Sequence, residues 1–593
     1  MQGNLSYPEG IQFDIYFDRN SMKSVFHPIL LLSVFFVQTT FAEPPVIIDY
    51  ESRFHPVIGK NGIVSSQERL ASEIGLQVLK DGGNAVDSAI AVAYALAVTL
   101  PKAGNLGGGG FMLVHSAKDK QTYAFDFREM APLAASRDMY LDGNGDVDTK
   151  RARFSPQSVG VPGTVRGLSA VHERFATKPL NELIQPAIVL ARDGFPVSPG
   201  LAGDLVSYEE KLKSSPAIAE IFYKDNGDPY FLGETFVQAD LAWSLEEIAE
   251  HGEEAFYEGA IAEKIVTFMK NEGGLIDAAD LKNYRVAERE PITGTYKGHE
   301  VVSMPPPSSG GVHLIQMLNT LENTSLEEMG HNSARSIHHL AEAMKFAYAD
   351  RSAHLGDPDF AEVPIDWLTS KAYGKELYSR IQNEKAIPSS EVKPGTPVEY
   401  ESEQTTHFSV MDKEGNAVSL TYTLNFSFGS LQMAPGTGFL LNNEMDDFSA
   451  KPGVPNGYGL LGGEANAIQP GKRPLSSMTP TMVLKDGNPY LVTGSPGGAK
   501  IITAVLQTVL NVVEYDMNVA EASSVPRVHH QWMPDELYCE SGISVDTLQI
   551  LQSLGHDTKP TKAMGSTQSV MKVGDRFEGY SDPRRPDAAT VAY

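Results

Sequence analysis

The chain has 593 residues, which is too long for one ordinary compact core and predicts three or four domains or a large two-lobed α/β body. Its hydrophobic content of 41% and charged content of 21% are typical of a soluble globular protein. The formal net charge of -27 argues against a nucleic-acid surface, because phosphate binding depends chiefly on clustered Lys and Arg. An anionic small molecule would therefore need a local arginine to bind.

The N-terminus is typical of a targeting segment. Met22-Lys23 begins a short basic region, residues 29–37 are almost wholly apolar, and Ala42 is a small residue at a suitable cleavage position. This pattern predicts a cleaved secretory signal and export to the periplasm or the medium, with a permanent anchor as the alternative. Residues 1–21 carry three acidic residues and fit no signal, so translation is predicted to start at Met22.

Two helices and a strand are predicted after the signal. Apolar residues recur every four positions from Leu70 to Val78, in a helix that stops at Gly82-Gly83. Residues 85–100 are apolar nearly all round, which predicts a buried helix. Gly107 to Gly110 then lead into a core strand at residues 111–114. No Lys-Ser/Thr follows these glycines, so they indicate close backbone packing and not a phosphate cradle.

The middle of the chain, from about 160 to 400, reads as mixed helix and loop. A helical stripe runs from Ile337 to Tyr348, with His338 and His339 predicted to flank its apolar face. Residues 380–404 have no apolar period and predict a linker. Cys539 is the one cysteine of the chain, so no intrachain disulfide forms and a small core residue is predicted. His529-His530 lacks a carboxylate at metal-ligand spacing, and no metal is predicted there.

A β-hairpin is predicted immediately after the linker. Residues 405–412 alternate, residues 413–415 turn, and residues 416–425 alternate again. A three-residue loop with Gly415 in the left-handed conformation places Thr423 directly opposite Thr405. A two- or four-residue loop would put the two threonines on opposite faces, so the pairing depends on this glycine.

The Gln404-Thr405 bond is a candidate site of self-cleavage. A threonine at a new chain start carries an α-amine within reach of its own hydroxyl, and that amine can act as the base. It titrates near ~8, so a useful fraction accepts protons around neutral pH. On composition alone, Thr405 and Thr406 are also typical of the start of a β-strand, and the two interpretations stand side by side.

Several segments together resemble the gamma-glutamyltransferase family of N-terminal nucleophile hydrolases. The resemblance runs from about residue 56 to the C-terminus. The matching motifs are Thr405-Thr406-His407-Phe408, Thr421-Tyr422-Thr423-Leu424-Asn425, Asn442-Asn443-Glu444-Met445-Asp446-Asp447-Phe448, Arg473-Pro474-Leu475-Ser476-Ser477-Met478 and Gly494-Ser495-Pro496-Gly497-Gly498.

The resemblance implies a fold, a maturation step and a reaction. The fold is α+β, a four-layer αββα sandwich formed jointly by two subunits. The precursor cuts before Thr405, giving a large subunit of residues 43–404 and a small catalytic subunit of residues 405–593. Thr405 then attacks a γ-glutamyl amide such as glutathione, and the acyl group passes to water, an amino acid or a dipeptide. The resemblance implies neither a metal nor a cofactor.

The resemblance also assigns the candidate site residues. Thr423 orients the nucleophile, and the backbone N–H groups of Gly497 and Gly498 receive the oxyanion. Two sets of side chains bind the substrate's α-carboxylate and its α-ammonium. Residues 452–463 form a lid loop over the pocket, with Tyr458 as its gate residue. The carboxylate group comprises Arg128, Ser476 and Ser477, and the ammonium group comprises Asp447, Glu444 and Asn425. Without the resemblance, Arg128 reads as a core salt bridge and Asp447 as a helix cap.

Three other functions compete with this interpretation. A β-lactam side-chain (glutaryl) acylase on the same scaffold would bind a substrate without an α-amino group, so the acidic Asp447 argues against it. Glu444, Asp446 and Asp447 could be glycosidase carboxylates, but two of them are adjacent and would point apart on a strand. An exported solute-binding protein would have no reason to be cut at Gln404. Water and amino-acid acceptors stay open as alternatives.

Overall fold

Two seven-stranded antiparallel sheets form the centre of the protein in a computed structural model that describes residues 52–392 and 405–593. The first sheet contains, in spatial order, Val57–Gly59, Arg576–Ser581, Gln568–Val573, Asn488–Thr493, Thr481–Lys485, His299–Ser303 and Ile292–Tyr296. The second contains Ala589–Ala592, Gly62–Ser66, Thr406–Asp412, Ala417–Thr423, Gly109–Ser116, Gln121–Phe127 and Ala287–Arg289. Each sheet therefore mixes strands from before and after residue 405.

Helices cover the outer face of each sheet. The longer helices on the side of the second sheet are Arg69–Lys80, Ala85–Thr99, Thr164–Phe175, Leu180–Asp193, Ala239–His251 and Ala260–Glu272. Those on the side of the first sheet are Gly310–Leu321, Ala334–His354, Lys371–Arg380, Ile501–Val513, Val519–Ser524 and Val545–Ser553. The two sheets face each other, and the result is the predicted four-layer αββα sandwich.

Short elements complete the described part of the chain. Besides Val519–Ser524 and Val545–Ser553, the α-helices of four to nine residues in the described ranges are Thr149–Arg153, Pro199–Ser207, Glu209–Leu212, Pro216–Phe222, Glu254–Tyr257, Ala278–Asn283, Leu326–Met329 and Ile365–Leu368. Short strands are Phe195–Pro196 with Thr235–Phe236, and Val528–His529 with Leu537–Glu540 and Thr558–Thr561. None of the helices in the described ranges is long and apolar enough to cross a membrane.

Two hydrophobic cores lie on opposite faces of the second sheet, as strand alternation requires. Along Thr406–Asp412, Phe408 and Val410 pack into the core under the helices, while Met411 belongs to the core shared with the first sheet. Ser409 also faces the first sheet, where its hydroxyl donates to Gln568 O at 2.8 Å. Odd-numbered residues of this strand, and Thr405 before it, therefore face the space between the sheets.

The helices predicted from periodicity are confirmed, and the structure has one large body in place of three or four domains. Residues 52–392 and 405–593 form one compact unit, because the second sheet is shared by both cores and joins them. The described part of the middle of the chain also contains five unpredicted strands: the short pair Phe195–Pro196 and Thr235–Phe236, and Ala287–Arg289, Ile292–Tyr296 and His299–Ser303.

The predicted linker at residues 380–404 is wrong in its first part. Residues 389–391 form a helical turn, and the Trp532 indole N–H donates to the carbonyls of Ser389 and Val392 at 3.0 and 2.9 Å. The remainder, residues 393–404, which includes Gln404, lies outside the described residues. The predicted signal and start site at residues 1–42 also lie outside them.

Candidate active site

Thr405 and Thr423 lie side by side at the end of the central hairpin. Thr406 pairs with Tyr422 and Met411 with Ala417, which is the register predicted from the glycine turn. Gly415 has φ +95°, and its N–H donates to Asp412 O at 3.2 Å. The two threonine hydroxyl oxygens are 3.4 Å apart. The predicted pairing of Thr405 and Thr423 is therefore confirmed.

The backbone beyond Thr423 holds its hydroxyl in place. The Asn425 N–H donates to Thr423 Oγ1 at 2.9 Å, and Asn425 itself has φ +73°, a left-handed conformation that asparagine tolerates better than most residues. Asn105 Nδ2 donates to Thr423 O at 2.9 Å. Hydrogen bonds thus fix both the side-chain hydroxyl and the backbone carbonyl of Thr423 in the empty site.

The glycine run at residues 107–110 allows neighbouring chains to approach the site. A Cβ atom on Gly108 would lie 2.0 Å from Thr423 O, and one on Gly109 would lie 2.5 Å from Phe127 O. These contacts bring the backbones of Thr423 and of the residue before Arg128 next to the same strand. The interpretation of these glycines as close backbone packing is confirmed.

Gly108→Ala is expected to prevent formation of the active site, because the added methyl group displaces Thr423. We expect little or no cut chain on a denaturing gel and a melting temperature lower by about 3 °C, for a destabilisation of a few kcal/mol. Gly143→Ala is the matched control, since a Cβ there meets nothing within 4 Å. Normal cutting of Gly108→Ala would contradict this account.

Arg128 lies at the centre of a buried group of carboxylates. Its Nη2 donates to Asp447 Oδ2 at 2.5 Å, its Nη1 pairs with Glu444, and Glu129 lies 3.5 Å from Nη1. Its Nε donates to Pro474 O at 3.2 Å. The salt-bridge interpretation of Arg128 therefore holds in this structure, and the same guanidinium also lines a small cavity beside Thr405.

Burial dominates the protonation of these carboxylates. It raises the pKa of Asp447 and Glu444, while the positive charge of Arg128 opposes the shift in both. Glu129 shows the same raised pKa for the same reason. Because burial outweighs the attraction of the one guanidinium that they share, the three acids hold a proton more readily than exposed carboxyl groups do.

Asp446 and Asp447 do not lie on a strand, so the stated reason for excluding a glycosidase is wrong. Both belong to a helical turn at Glu444–Asp447. They nevertheless diverge: Asp446 pairs with Arg153 at 2.9 Å and accepts the Gly457 N–H at 2.8 Å, while Asp447 faces Arg128. Asp446 is therefore used structurally, while Glu444 and Asp447 both line the cavity and both pair with Arg128.

Ser476 and Ser477 line the same cavity as Arg128. Ser476 Oγ accepts the Met478 N–H at 3.1 Å, and Ser477 Oγ accepts from Arg351 Nη2 at 3.2 Å. Fixed donors thus occupy an acceptor position on each hydroxyl. Both side chains therefore lie beside Arg128, with which the sequence analysis expected them to bind the α-carboxylate of the substrate.

Gly497 and Gly498 lead into the N-terminal end of the long buried helix Ile501–Val513. Their φ angles are +137° and +52°, values at which an L side chain is strained. Gly498 and Ile501 line the cavity, whereas Gly497 lies just outside its lining. A helix N-terminus beside Thr405 favours negative charge there, as an oxyanion requires.

The segment 452–463 covers the cavity. Tyr458 is buried, and its hydroxyl donates to Asn425 O at 2.5 Å while its ring packs against Phe426. Asn456 Nδ2 donates to Asp447 Oδ1 at 3.0 Å. These contacts tie the segment to two predicted site residues and place Tyr458 and Leu460 in the cavity wall.

The sequence interpretation missed Arg351, Asn456 and Met478 at the site. Arg351 lies near the end of helix Ala334–His354, three residues after Tyr348 on the predicted stripe. That spacing is a signal, because a charged residue continuing an apolar helical face is buried and needs a partner. The single cysteine is buried as predicted, which raises the pKa of its thiol to about 12.

His338 and His339, predicted to flank the apolar stripe of their helix, are both buried. His338, Glu342 and His556 bring three potential ligand atoms within 4.8 Å of one another. These atoms already have partners within the protein. His338 Nδ1 and His556 Nε2 are hydrogen-bonded at 2.8 Å, and the Lys345 ammonium lies 2.5 Å from the Glu342 carboxylate. We assign no metal to this cluster, because Lys345 already supplies the cation.

The fold and the position of Thr405 define an N-terminal nucleophile hydrolase: an αββα sandwich with a threonine at the start of a central strand, beside a cavity. The Gamma-glutamyltranspeptidase family model matches residues 71–592. The chain belongs to this family.

Individual relatives agree with this assignment. The "Glutathione hydrolase proenzyme" of Escherichia coli strain K12 is 55% identical over 553 residues, covering 93% of this chain and 95% of the relative. The crystal structure of cephalosporin acylase from Bacillus halodurans superimposes with a TM-score of 0.81 at 27% identity, over 93% of this chain and 99% of that one. Helicobacter pylori gamma-glutamyltranspeptidase gives a TM-score of 0.54 at 46% identity, over 55% and 93%.

Proposed function

We propose that the chain is a proenzyme that cuts its own Gln404-Thr405 bond and then uses Thr405 to cleave γ-glutamyl amides such as glutathione. One observation carries the proposal. The paired hydroxyls of Thr405 and Thr423 line the same cavity as Arg128 and Asp447, a buried cation and a buried anion. A nucleophile thus lies beside groups of the two charges that a zwitterionic donor needs.

Self-cleavage begins with attack of the Thr405 hydroxyl on the Gln404 carbonyl carbon. The Gln404-Thr405 C–N bond breaks as the acyl group moves from nitrogen to oxygen, and water then hydrolyses the resulting ester. The products are a new carboxyl end on Gln404 and a free α-amine on Thr405. That amine supplies the base that the threonine hydroxyl lacks in the uncut chain.

The γ-glutamyl reaction uses the same hydroxyl a second time. The α-amine takes the hydroxyl proton as Thr405 Oγ1 attacks the γ-carbonyl carbon, and the protonated amine of the leaving group departs. The negative oxygen of the tetrahedral intermediate lies near Gly497 and Gly498 at the helix N-terminus. Water or the amine of an amino acid or dipeptide then attacks the γ-glutamyl ester and frees Thr405.

When the donor binds, the charged groups on its α-carbon replace contacts that the site residues make with one another in the empty site. Its carboxylate binds Arg128, Ser476 and Ser477, replacing part of the contact that Arg128 makes with acids. Its ammonium binds Asp447 and Glu444, and the side-chain oxygen of Asn425, which is buried without a hydrogen-bond partner in the described residues, receives a further N–H. Each buried charge therefore keeps an opposite charge beside it, which limits the cost of binding.

Maturation and location complete the proposal. Cleavage gives a large subunit of residues 43–404 and a small catalytic subunit of residues 405–593, which stay together. The signal pattern at residues 22–42 supports export to the periplasm or the medium. A glutaryl acylase is the second candidate, favoured by the structural match to a cephalosporin acylase.

Purification of the exported protein tests the proposal directly. We expect two bands on a denaturing gel, a smaller band whose N-terminal sequence is Thr-Thr-His-Phe, and release of nitroaniline from γ-glutamyl-p-nitroanilide. A single intact band without activity would refute the proposal and favour a solute-binding protein.

Glu444→Gln is expected to retain kcat/KM at neutral pH within about threefold, because an amide oxygen still accepts from the ammonium. The donor ammonium needs ionised Asp447, whose raised pKa makes binding fail as pH falls. Burial raises the pKa of Asp447 with a contribution from Asp446, and burial also makes Glu444 hold its proton more readily than an exposed acid does. The substitution therefore removes little charge near Asp447, and the acid limb of kcat/KM against pH, measured from about pH 4 to 8, should stay in place; a limb that moves to lower pH would contradict this account.

A further inference from the structure

Arg351 is a buried cation beside the active site that is held without an ion pair. It is 4% exposed, and it lines the cavity together with Arg128 and Thr405. Its Nε donates to Ser309 Oγ at 2.9 Å and its Nη2 to Ser477 Oγ at 3.2 Å. Within residues 52–392 and 405–593, no carboxylate lies at ion-pair distance from its guanidinium. Asp447 attracts it only from beyond ion-pair distance, and a buried charge without a contacting counter-ion is costly, so this position calls for an incoming anion.

Arg128 cannot attract that anion alone, because three carboxylates already surround it. Glu129, Glu444 and Asp447 approach its guanidinium, so the group carries little net positive charge in the empty site. Burial lowers the pKa of Arg351 only to about 10, which leaves it charged at neutral pH. Arg351 therefore adds positive potential to the cavity. Neither Asp447 nor Glu444 contacts Arg351 directly, so neither forms an ion pair that would cancel this potential.

The hydrogen-bond pattern shows how Arg351 acts on the cavity. A serine hydroxyl has one proton to donate and two positions that accept. Arg351 Nη2 fills an accepting position of Ser477, so the proton of that hydroxyl must point elsewhere. In the described part of the chain, no acceptor takes the proton of Ser477. The neighbouring Thr479 Oγ1 donates to Ser477 O at 2.8 Å and fixes the backbone, which leaves the hydroxyl free to donate into the cavity.

We propose that Arg351 is a positioning residue for the α-carboxylate of the donor: it holds the Ser477 hydroxyl as a hydrogen-bond donor and adds the positive charge that Arg128 lacks. The inference rests on the proposed γ-glutamyl site and goes beyond it by assigning a second arginine to carboxylate selection. Ser309 supports the guanidinium from its other edge, since its own hydroxyl donates to Ser476 O at 2.7 Å.

A double-mutant cycle with Ser477 tests the proposal. Arg351→Gln should raise KM for γ-glutamyl-p-nitroanilide about 10- to 100-fold while changing kcat less than about threefold, because the lost contact is made in the bound ground state as well. Ser477→Ala should raise KM about 10-fold. The double variant should be no more than about threefold worse than the worse single variant, since both remove one connected interaction.

A second donor separates carboxylate positioning from a purely structural role. With the α-carboxamide analogue of the same anilide, Arg351→Gln should change kcat/KM less than about threefold, because no anion is bound. Equal losses on both donors, or additive losses in the cycle, would overturn the proposal. Arg166→Gln is the matched control: it is a largely buried arginine that pairs with Glu253 and does not line the cavity, so its ratio between the two donors should equal that of the wild type.

Maturation is checked for every variant by the two bands on a denaturing gel. Arg351→Lys is the second variant if the glutamine form stays uncut, and we expect it to recover part of the affinity for the carboxylate donor. Failure of both Arg351 variants to mature, with Ser477→Ala maturing normally, would overturn a role through Ser477. An inactive wild-type enzyme would instead refute the proposed γ-glutamyl function.

Discussion

Thr405→Ala is expected to leave one uncut chain with no measurable γ-glutamyl activity. The variant lacks the hydroxyl that attacks the Gln404 carbonyl, so no new N-terminus forms. It also lacks the nucleophile of the second reaction, and removal of a covalent nucleophile lowers kcat by roughly 10⁴-fold or more. The expected result is a single band of the precursor and nitroaniline release at the background rate.

Thr406→Val is the matched control for this variant. Thr406 is adjacent and fully buried, but it lies on the opposite face of the strand, and its hydroxyl has no hydrogen-bond partner in the described residues. Replacing an unsatisfied hydroxyl by a methyl group of similar shape costs little, so cutting and kcat/KM should stay within about threefold of the wild type. A cut or active Thr405→Ala protein would refute the mechanism.

Asp447→Asn is expected to lower kcat/KM for γ-glutamyl-p-nitroanilide by about 10²- to 10³-fold, which corresponds to about 3–4 kcal/mol. The substitution removes a buried negative charge that pairs with Arg128 and receives the donor ammonium. It also places an amide NH₂ where two cations need an acceptor. The loss should fall mainly on KM, because the ammonium is bound before and during the reaction.

A glutaryl anilide, which lacks the α-ammonium, separates the two candidate functions. Asp447→Asn should change kcat/KM for this donor less than about threefold, so the preference for γ-glutamyl over glutaryl should collapse. Asp446→Asn is the control within the same turn: its carboxylate pairs with Arg153 away from the cavity, and the ratio between the two donors should not change. A wild-type enzyme that prefers the glutaryl donor would favour the acylase interpretation.

The hairpin register shows where local rules suffice for prediction. One glycine in a three-residue turn determines which residues face each other, and alternation then places Thr405 and Thr423 on one face. Both signals lie within 20 residues of sequence, so the chain order carries them directly. The burial of the 85–99 helix was predictable in the same way, from an apolar composition on all its faces.

Contacts between distant segments were not predictable from local patterns. The short strands Ile292–Tyr296 and His299–Ser303 pair with each other, but their place in the first sheet depends on pairing of His299–Ser303 with Thr481–Lys485, almost 180 residues later. Arg351 meets Ser477 only through the fold, and nothing in the neighbouring sequence indicates that contact. The resemblance to a family supplied Arg128, Asp447 and the glycine pair, whose roles no spacing rule would have assigned.

Strands that precede residue 405 in the sequence alternate in the sheets with strands that follow it, and this arrangement affects the stability of the cut enzyme. Gly62–Ser66 lies between Thr406–Asp412 and Ala589–Ala592, so neither fragment can leave without breaking hydrogen bonds along an inner strand. Before cleavage, unfolding and refolding involve a single molecule. After it, refolding requires two chains to meet, so the apparent melting temperature depends on protein concentration and heat inactivation becomes irreversible when the chains separate. Cleavage thus converts a reversible fold into an assembly whose lifetime is governed by its rate of unfolding.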